Sequence, residues 1–232
     1  MLGIPRPTIR GWLDPNQQAL RLAAQERRGV RECQRCIGTE TALGPDYVYL
    51  LGLYLGDGCL SRHRGGVWRL RIIQDQRYRG LINECRLAIA AVTLSRVSVI
   101  RRIGCVEIGA SWQHWVHLFP QHGDGPKWRR PIIMEQWQQT LLGTYPGQLM
   151  RGLIHSDGCR SMNTVSGHGP NKQKRYRYPR YMFTNMSDDI RLLFTEACDR
   201  LRVHWTQTNA RTVAVSRRKD VEFLDTFIGP KR

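Results

Sequence analysis

Two short words recur one hundred residues apart in this chain: Gly56-Asp57-Gly58-Cys59 and Ser156-Asp157-Gly158-Cys159. Each closes an apolar run, Tyr47–Leu55 in the first case and Leu149–Ile154 in the second. A carboxylate at the end of a helix faces the negative pole of the helix dipole. Two such carboxylates brought together also repel. Bound divalent cations relieve both penalties, and oxygen ligands of this kind suit Mg²⁺ or Ca²⁺. Paired metals beside paired acids suit phosphodiester hydrolysis. One Asp-Gly after an apolar helix is ordinarily a cap and a turn. A duplicated one is harder to explain as structure alone, so Asp57 and Asp157 are the expected metal ligands and catalytic acids. Gly58 and Gly158 are expected to close their helices in the left-handed cap conformation.

The elements that must position these acids repeat as well. Gly52 and Gly56 fall on one helix face, as do Gly152 and Ser156. Small residues four apart let two helix backbones approach closely, so the two runs are expected to pack on each other and deliver the acids to one place. After each run comes alternating sequence, at Val67–Gln74 and at Arg175–Asn185, the latter crossed by Pro179. Helical spacing follows at Tyr78–Val92 and Ser187–Leu201, where Ser187-Asp188-Asp189 is a good helix start. Strand pairs are expected at Val97–Ile103 with Val106–Leu118, interrupted near Gly109, and at Val203–Thr208 with Arg211–Ser216. Lys219–Ile228 reads as a last helix. The chain thus divides into a basic segment 1–44, a first repeat 45–119, a linker 120–146 with one helix near Ile133–Leu142, and a second repeat 147–232. Each repeat reads αββαββα in an α+β fold.

The balance of charge names the kind of partner. Thirty-six Lys and Arg against nineteen Asp and Glu give a formal net charge of +17, which favours a polyanion. Anionic membrane is disfavoured, because no apolar run reaches about 18 residues and no basic-then-apolar leader opens the chain. A nucleic-acid partner in the cytoplasm is expected, at the nucleoid in a bacterium. Seven cysteines without a disulfide-like rhythm read as reduced thiols.

Leu50-Leu51-Gly52-Leu53-Tyr54-Leu55-Gly56-Asp57-Gly58 and Met150-Arg151-Gly152-Leu153-Ile154-His155-Ser156-Asp157-Gly158 resemble two LAGLIDADG motifs of the single-chain homing endonuclease type. The resemblance covers Tyr47 to the last residue through the order of elements. It implies two antiparallel four-stranded sheets forming a saddle on duplex DNA, with the two motif helices at the pseudo-two-fold interface. It also implies a monomer without a protein partner that hydrolyses DNA site-specifically with Mg²⁺, Mn²⁺ or Ca²⁺ substituting for binding. The last motif acid maps to Asp57 and Asp157, with Gly56 and Ser156 beside them at the metals. The earlier motif acid is replaced by Leu55 and His155. Gln74 and Asn185 are the matched polar pair expected at the metals, Arg71 is a further candidate, and Arg218, in Arg217-Arg218-Lys219, matches the catalytic basic residue of the second half. The corresponding place in the first half, Phe119-Pro120, has no charge, and Lys127 is near it in sequence only. The expected DNA contacts are Arg69, Arg71, Arg101, Arg175, Arg177, Arg180, Arg217 and Lys219.

Other features have plainer readings. Cys33-x-x-Cys36 could be half of a zinc site, but no second ligand pair of that spacing exists and the other ligands would have to come from afar. Cys59 and Cys159 read as small core residues, and His114, His117 and His122 as structural or DNA-face residues. Gly3–Leu13 reads as a short helix and resembles the turn and second helix of a helix-turn-helix, against which stands a basic arm. Two other functions fit the resemblance: a DNA-binding regulator without cleavage, and an RNA maturase. A pure binder has no physical reason to hold two carboxylates against phosphates.

Overall fold

The computed structural model describes residues 43–166, 174–229 and 231. The expected N-terminal helix, Cys33 and Cys36 lie outside the described residues. Within them the first half runs α1 (Pro45–Asp57), β1 (Gly58–Arg62), β2 (Trp68–Asp75), α2 (Arg79–Val92), β3 (Ser98–Arg102), β4 (Cys105–Trp112) and α3 (Trp115–Leu118). After a 3₁₀ turn at Lys127–Arg129 and the linker helix α4 (Gln136–Thr144), the order repeats. The second half is α5 (Pro146–Asp157), β5 (Gly158–Ser166), β6 (Arg175–Thr184), α6 (Asp188–Arg200), β7 (Thr206–Asn209), β8 (Thr212–Val215) and α7 (Arg218–Asp225). The strands form two antiparallel four-stranded sheets of matching order, β1-β2-β4-β3 and β5-β6-β8-β7. The expected repeat and fold class are therefore present.

α1 is buried on all sides from Tyr47 to Leu55, as its unbroken apolar sequence requires of a central helix. Pro45 opens it and Asp46 sits in its first turn, both suited to a helix N-terminus. Each sheet turns one face to the helices. Leu70, Ile72, Ile108 and Ala110 fill that face in the first sheet, and Tyr181, Phe183, Val213 and Val215 in the second. The linker is fastened into this core by polar groups. Tyr47 donates to Leu118 O at 2.6 Å, and the fully buried Gln138 donates to Tyr47 Oη at 2.7 Å. Gln121 donates to Ile133 O at 2.8 Å. No described helix is long and apolar enough to cross a membrane.

Two elements differ from expectation. β4 runs unbroken through Gly109, because that glycine permits a close approach instead of a break: a Cβ there would strike the Leu70 carbonyl. The residues after Trp112 leave the sheet for α3, whose Trp115 and Leu118, with Phe119, bury themselves at helical spacing. Pro179 stays inside β6 opposite Met162. β8 pairs only with Tyr181–Thr184, so the missing N–H of Pro179 costs no ladder bond on that side.

Candidate acid pair and nucleic-acid face

α1 and α5 touch along their small residues. A Cβ built on Gly52 would lie 2.8 Å from Gly152 Cα and 2.8 Å from Leu149 O, and one on Gly56 would collide with Ser156. Backbone meets backbone there, so the C-terminal ends of both helices arrive together. A Cβ on Gly56 would stand 3.0 Å from Asp157 Oδ2. The helices then pass directly into β1 and β5, the edge strands of the two sheets. The left-handed caps expected at Gly58 and Gly158 are not formed. Their φ angles are −94° and −107°, both extended. Glycine is needed for room instead: a Cβ on Gly58 would lie 2.5 Å from Tyr54 Cα, and one on Gly158 2.6 Å from Ile154 Cδ1.

Each acid is held by the amide expected for it. Gln74 Nε2 donates to Asp57 Oδ2 at 3.0 Å, and Asn185 Nδ2 to Asp157 Oδ2 at 2.6 Å. Burial, and then the charge of Asp157, push the Asp57 carboxyl up to about 6. Burial raises Asp157 too. The cations whose charge acts on the pair are Lys127 and Lys231. Lys127 reaches in from the 3₁₀ turn to Gly58 O at 2.6 Å and Gly56 O at 3.3 Å, with its ammonium 5.0 Å from the Tyr54 ring centre. Lys231 donates to Ser156 O at 2.9 Å. Burial pulls Lys127 down to about 8 and lowers Lys231 as well. Neither lysine has a local signal that marks it. Both reach carbonyls about seventy residues away.

The donor set at this place is all oxygen: two carboxylates, each with one oxygen engaged by an amide, and the carbonyls of Gly56, Gly58 and Ser156. That chemistry fits a hard divalent cation. The raised carboxyls report anions whose charge the protein alone only partly offsets. No group of three or more His, Cys, Asp or Glu suited to a metal occurs among the described residues, so any ion here would rely on the carbonyls or on phosphate oxygens for the rest of its shell. A cavity of about 450 Å³ opens beside Asp157, lined by it with Asn185, Lys127, Trp128, Tyr54 and Cys59 among others.

The strand register sorts the remaining candidates. Arg69 and Arg71 lie on the sheet face turned away from the helices, Arg71 opposite Cys59 and Gly109. Arg71 Nε is buried without a partner. Arg180 lies on the corresponding face of the second sheet with Tyr176, Tyr178 and Met182, and its Nε is likewise buried without a partner. Arg217 borders a smaller cavity of about 270 Å³ with Tyr178, His204 and Thr206. Lys219 is exposed in α7. Four of the expected arginines stand elsewhere. Arg101 stands opposite Val106, on the helix-side face. Arg175 and Arg177 share the parity of the buried Tyr181 and Phe183, again the helix-side face, though exposed there. Alternation alone does not say which parity is buried; the aromatic pair at 181 and 183 decides it. Arg218 is paired with Glu222 along α7 at 2.8 Å and is almost fully exposed, away from the cations that act on the acids. Cys59 and Cys159 are exposed, not core, because their register turns them to the outer face. His155, in place of the earlier motif acid, is buried 2.9 Å from Tyr49 Oη and held neutral, its pKa brought down to about 4 by burial.

No family model matches the sequence, and no curated protein matches it. Solved structures are similar in fold. The LAGLIDADG meganuclease I-AabMI bound to uncleaved DNA superposes with a TM-score of 0.49 at 12% identity, over 80% of this chain and 83% of that one. I-DmoI in complex with DNA and Ca gives 0.48 at 16%, over 79% and 88%. The N-terminal LAGLIDADG domain of DUF199/WhiA gives 0.50 at 15%, over 81% and 84%. At such identity the likeness is one of fold alone: this chain has the LAGLIDADG fold, two αββαββα halves joined along their glycine-lined helices.

Proposed function

We propose that the chain is a divalent-metal-dependent endonuclease of duplex DNA. The observation that carries this reading is the acid pair: Asp57 and Asp157, brought together by glycine-lined helices and left with charge that their surroundings only partly offset. Gln74 and Asn185 fix the orientation of the two carboxylates by donating to one oxygen of each, which leaves the other oxygen of each to take an ion. Divalent cations bound to these oxygens would supply Lewis-acid stabilisation of charge on a scissile phosphate. Lys127 and Lys231 hold positive charge beside the acids, one for each half. They take the place expected of Arg218 and remove the asymmetry expected from Phe119-Pro120. Arg71 and Arg180 present guanidiniums on the outer sheet faces, where a duplex would bring phosphates and base edges. Site-specific cleavage, Mg²⁺ as the ion, and a monomer acting without a protein partner belong to this same reading.

A second reading, a DNA binder without cleavage, draws on the same lysines. Their ammoniums sit on the Gly56 and Ser156 carbonyls, which were expected beside the metals, and so lessen the need for an ion. One experiment separates the two. A randomised duplex pool is incubated with Mg²⁺, and both intact and broken molecules are sequenced. The nuclease yields breaks at a defined sequence, and Asp57→Asn or Asp157→Asn removes the breaks while retaining binding. Enrichment of intact duplexes only, or cutting by both variants at the wild-type rate, overturns the nuclease reading.

A further inference from the structure

The outer face of the first sheet carries a buried carboxylate. Glu107 stands on β4 opposite Ile73 and Ile100, on the same face as Arg69, yet it is only 3% exposed. A carboxylate so placed would weaken a DNA surface if its charge were free, but both of its oxygens are taken. Arg69 Nη2 donates to Oε1 at 3.0 Å and Arg102 Nη2 to Oε2 at 2.9 Å, with Arg102 Nε at 3.3 Å from the same Oε2.

The two arginines are used differently. Arg69 Nη2 spends its second hydrogen on Ser98 Oγ at 2.9 Å, and Ser98 in turn donates to Gly109 O at 3.1 Å. Its side chain is 18% exposed, so Arg69 is braced and covered. Arg102 meets Glu107 side-on, through Nε and Nη2. That leaves the end-on edge of its guanidinium, Nη1 and the second hydrogen of Nη2, without a partner among the described residues, on a side chain that is 57% exposed. A fork with two parallel donors matches two adjacent acceptors. In the major groove only guanine offers two acceptors side by side, O6 and N7. A guanidinium fixed by a carboxylate loses less side-chain freedom on binding than a free one, so more of the contact energy is available for discrimination.

We propose that Arg102 is a guanine-reading residue of this face, aimed by Glu107, with Arg69 and Ser98 holding Glu107 in turn. This rests on the reading of the outer sheet face as a duplex-DNA surface. Among the described residues the second half has no such device. Its position equivalent to Glu107, opposite the residue before Asn185, is Thr212, whose hydroxyl lies 2.9 Å from that of Thr184. The target is therefore asymmetric, with a required guanine in the half-site under the first sheet.

The test is selection from a randomised duplex pool by binding in EDTA, so that cleavage plays no part. Wild-type protein enriches duplexes with one strongly preferred guanine. Arg102→Lys keeps the charge and loses the fork, so preference at that position falls by about ten- to a hundredfold while the other positions are unchanged. Glu107→Gln loses the same preference and binds all sequences somewhat more tightly, having one charge fewer to oppose phosphate. Arg101→Lys, its neighbour on the opposite face, changes nothing. If Arg102→Lys binds with the wild-type preference at every position, Arg102 contacts phosphate or nothing and the proposal fails, whether or not Glu107→Gln folds. If wild-type protein enriches no duplex at all, the DNA reading itself fails and takes this assignment with it.

Discussion

The acid pair implies a stability cost that can be measured without DNA or metal. The carboxyl of Asp57 moves from 3.8 to about 6 on folding, a little over two pKa units. At about 1.36 kcal/mol per unit this is about 3 kcal/mol. A raised folded-state pKa means that the protonated form is favoured in the native state. The stabilisation is full below the unfolded value near 4 and is lost as pH rises through about 6. Asp57→Asn keeps the shape and the acceptor for Gln74 but has no charge to bury. In EDTA the variant and the wild type should therefore melt together near pH 4 and diverge above it. By pH 7.5 the variant should be the more stable by about 3 kcal/mol, or about 6–12 °C in Tm for a domain of this size. The assay is thermal unfolding of both proteins from pH 4 to 8. A difference in Tm that does not grow between pH 4.5 and 7, or one of opposite sign, would refute the claim that the pair is buried against its own charge. Adding Mg²⁺ at pH 7.5 should raise the wild-type Tm and leave the variant nearly unmoved.

Other perturbations test the same construction. Gly52→Val places a side chain against the backbone of Gly152 and Leu149 and should cost about 3 kcal/mol or more, read as a lower midpoint in urea; an unchanged midpoint would mean that the two helices can move apart freely. Lys127→Met and Lys231→Met should each slow cleavage of one strand by about a hundredfold and so accumulate nicked plasmid, and equal slowing of both strands by either variant would deny a division of labour between the halves. Binding should weaken steeply with salt, by about a thousandfold or more between 50 and 200 mM if six or more phosphates are neutralised. A flat response in a fluorescence titration would argue against a phosphate-contacting face.

The duplicated Asp-Gly words and the small residues four apart were enough to place two helices against each other with their acids together, because helical period and residue size are local properties. The same period located α2 and α6, and alternation located β2 and β6. What failed was whatever depended on a second element. The sequence around β6 alternates whichever face is inward, and only the packing of Tyr181 and Phe183 on the helices turned Arg175 and Arg177 away from the outer face while leaving Arg180 on it. The glycines after the acids read as caps because that is their common use. The direct passage from helix to strand gave them extended backbone and made space their purpose.

The two cations at the acids, Lys127 and Lys231, come from segments with no periodic signal, and the clamp of Glu107 on Arg69 and Arg102 joins three strands. Sequence by itself determined the repeat, the chain's excess of positive charge and the pair of carboxylates, since each is written in the types and spacing of its residues. Tertiary structure alone decided which cations meet those carboxylates and which arginines are tied or free, because a side chain's electrostatic partners are set by packing across tens of residues, where the chain's local pattern carries no information.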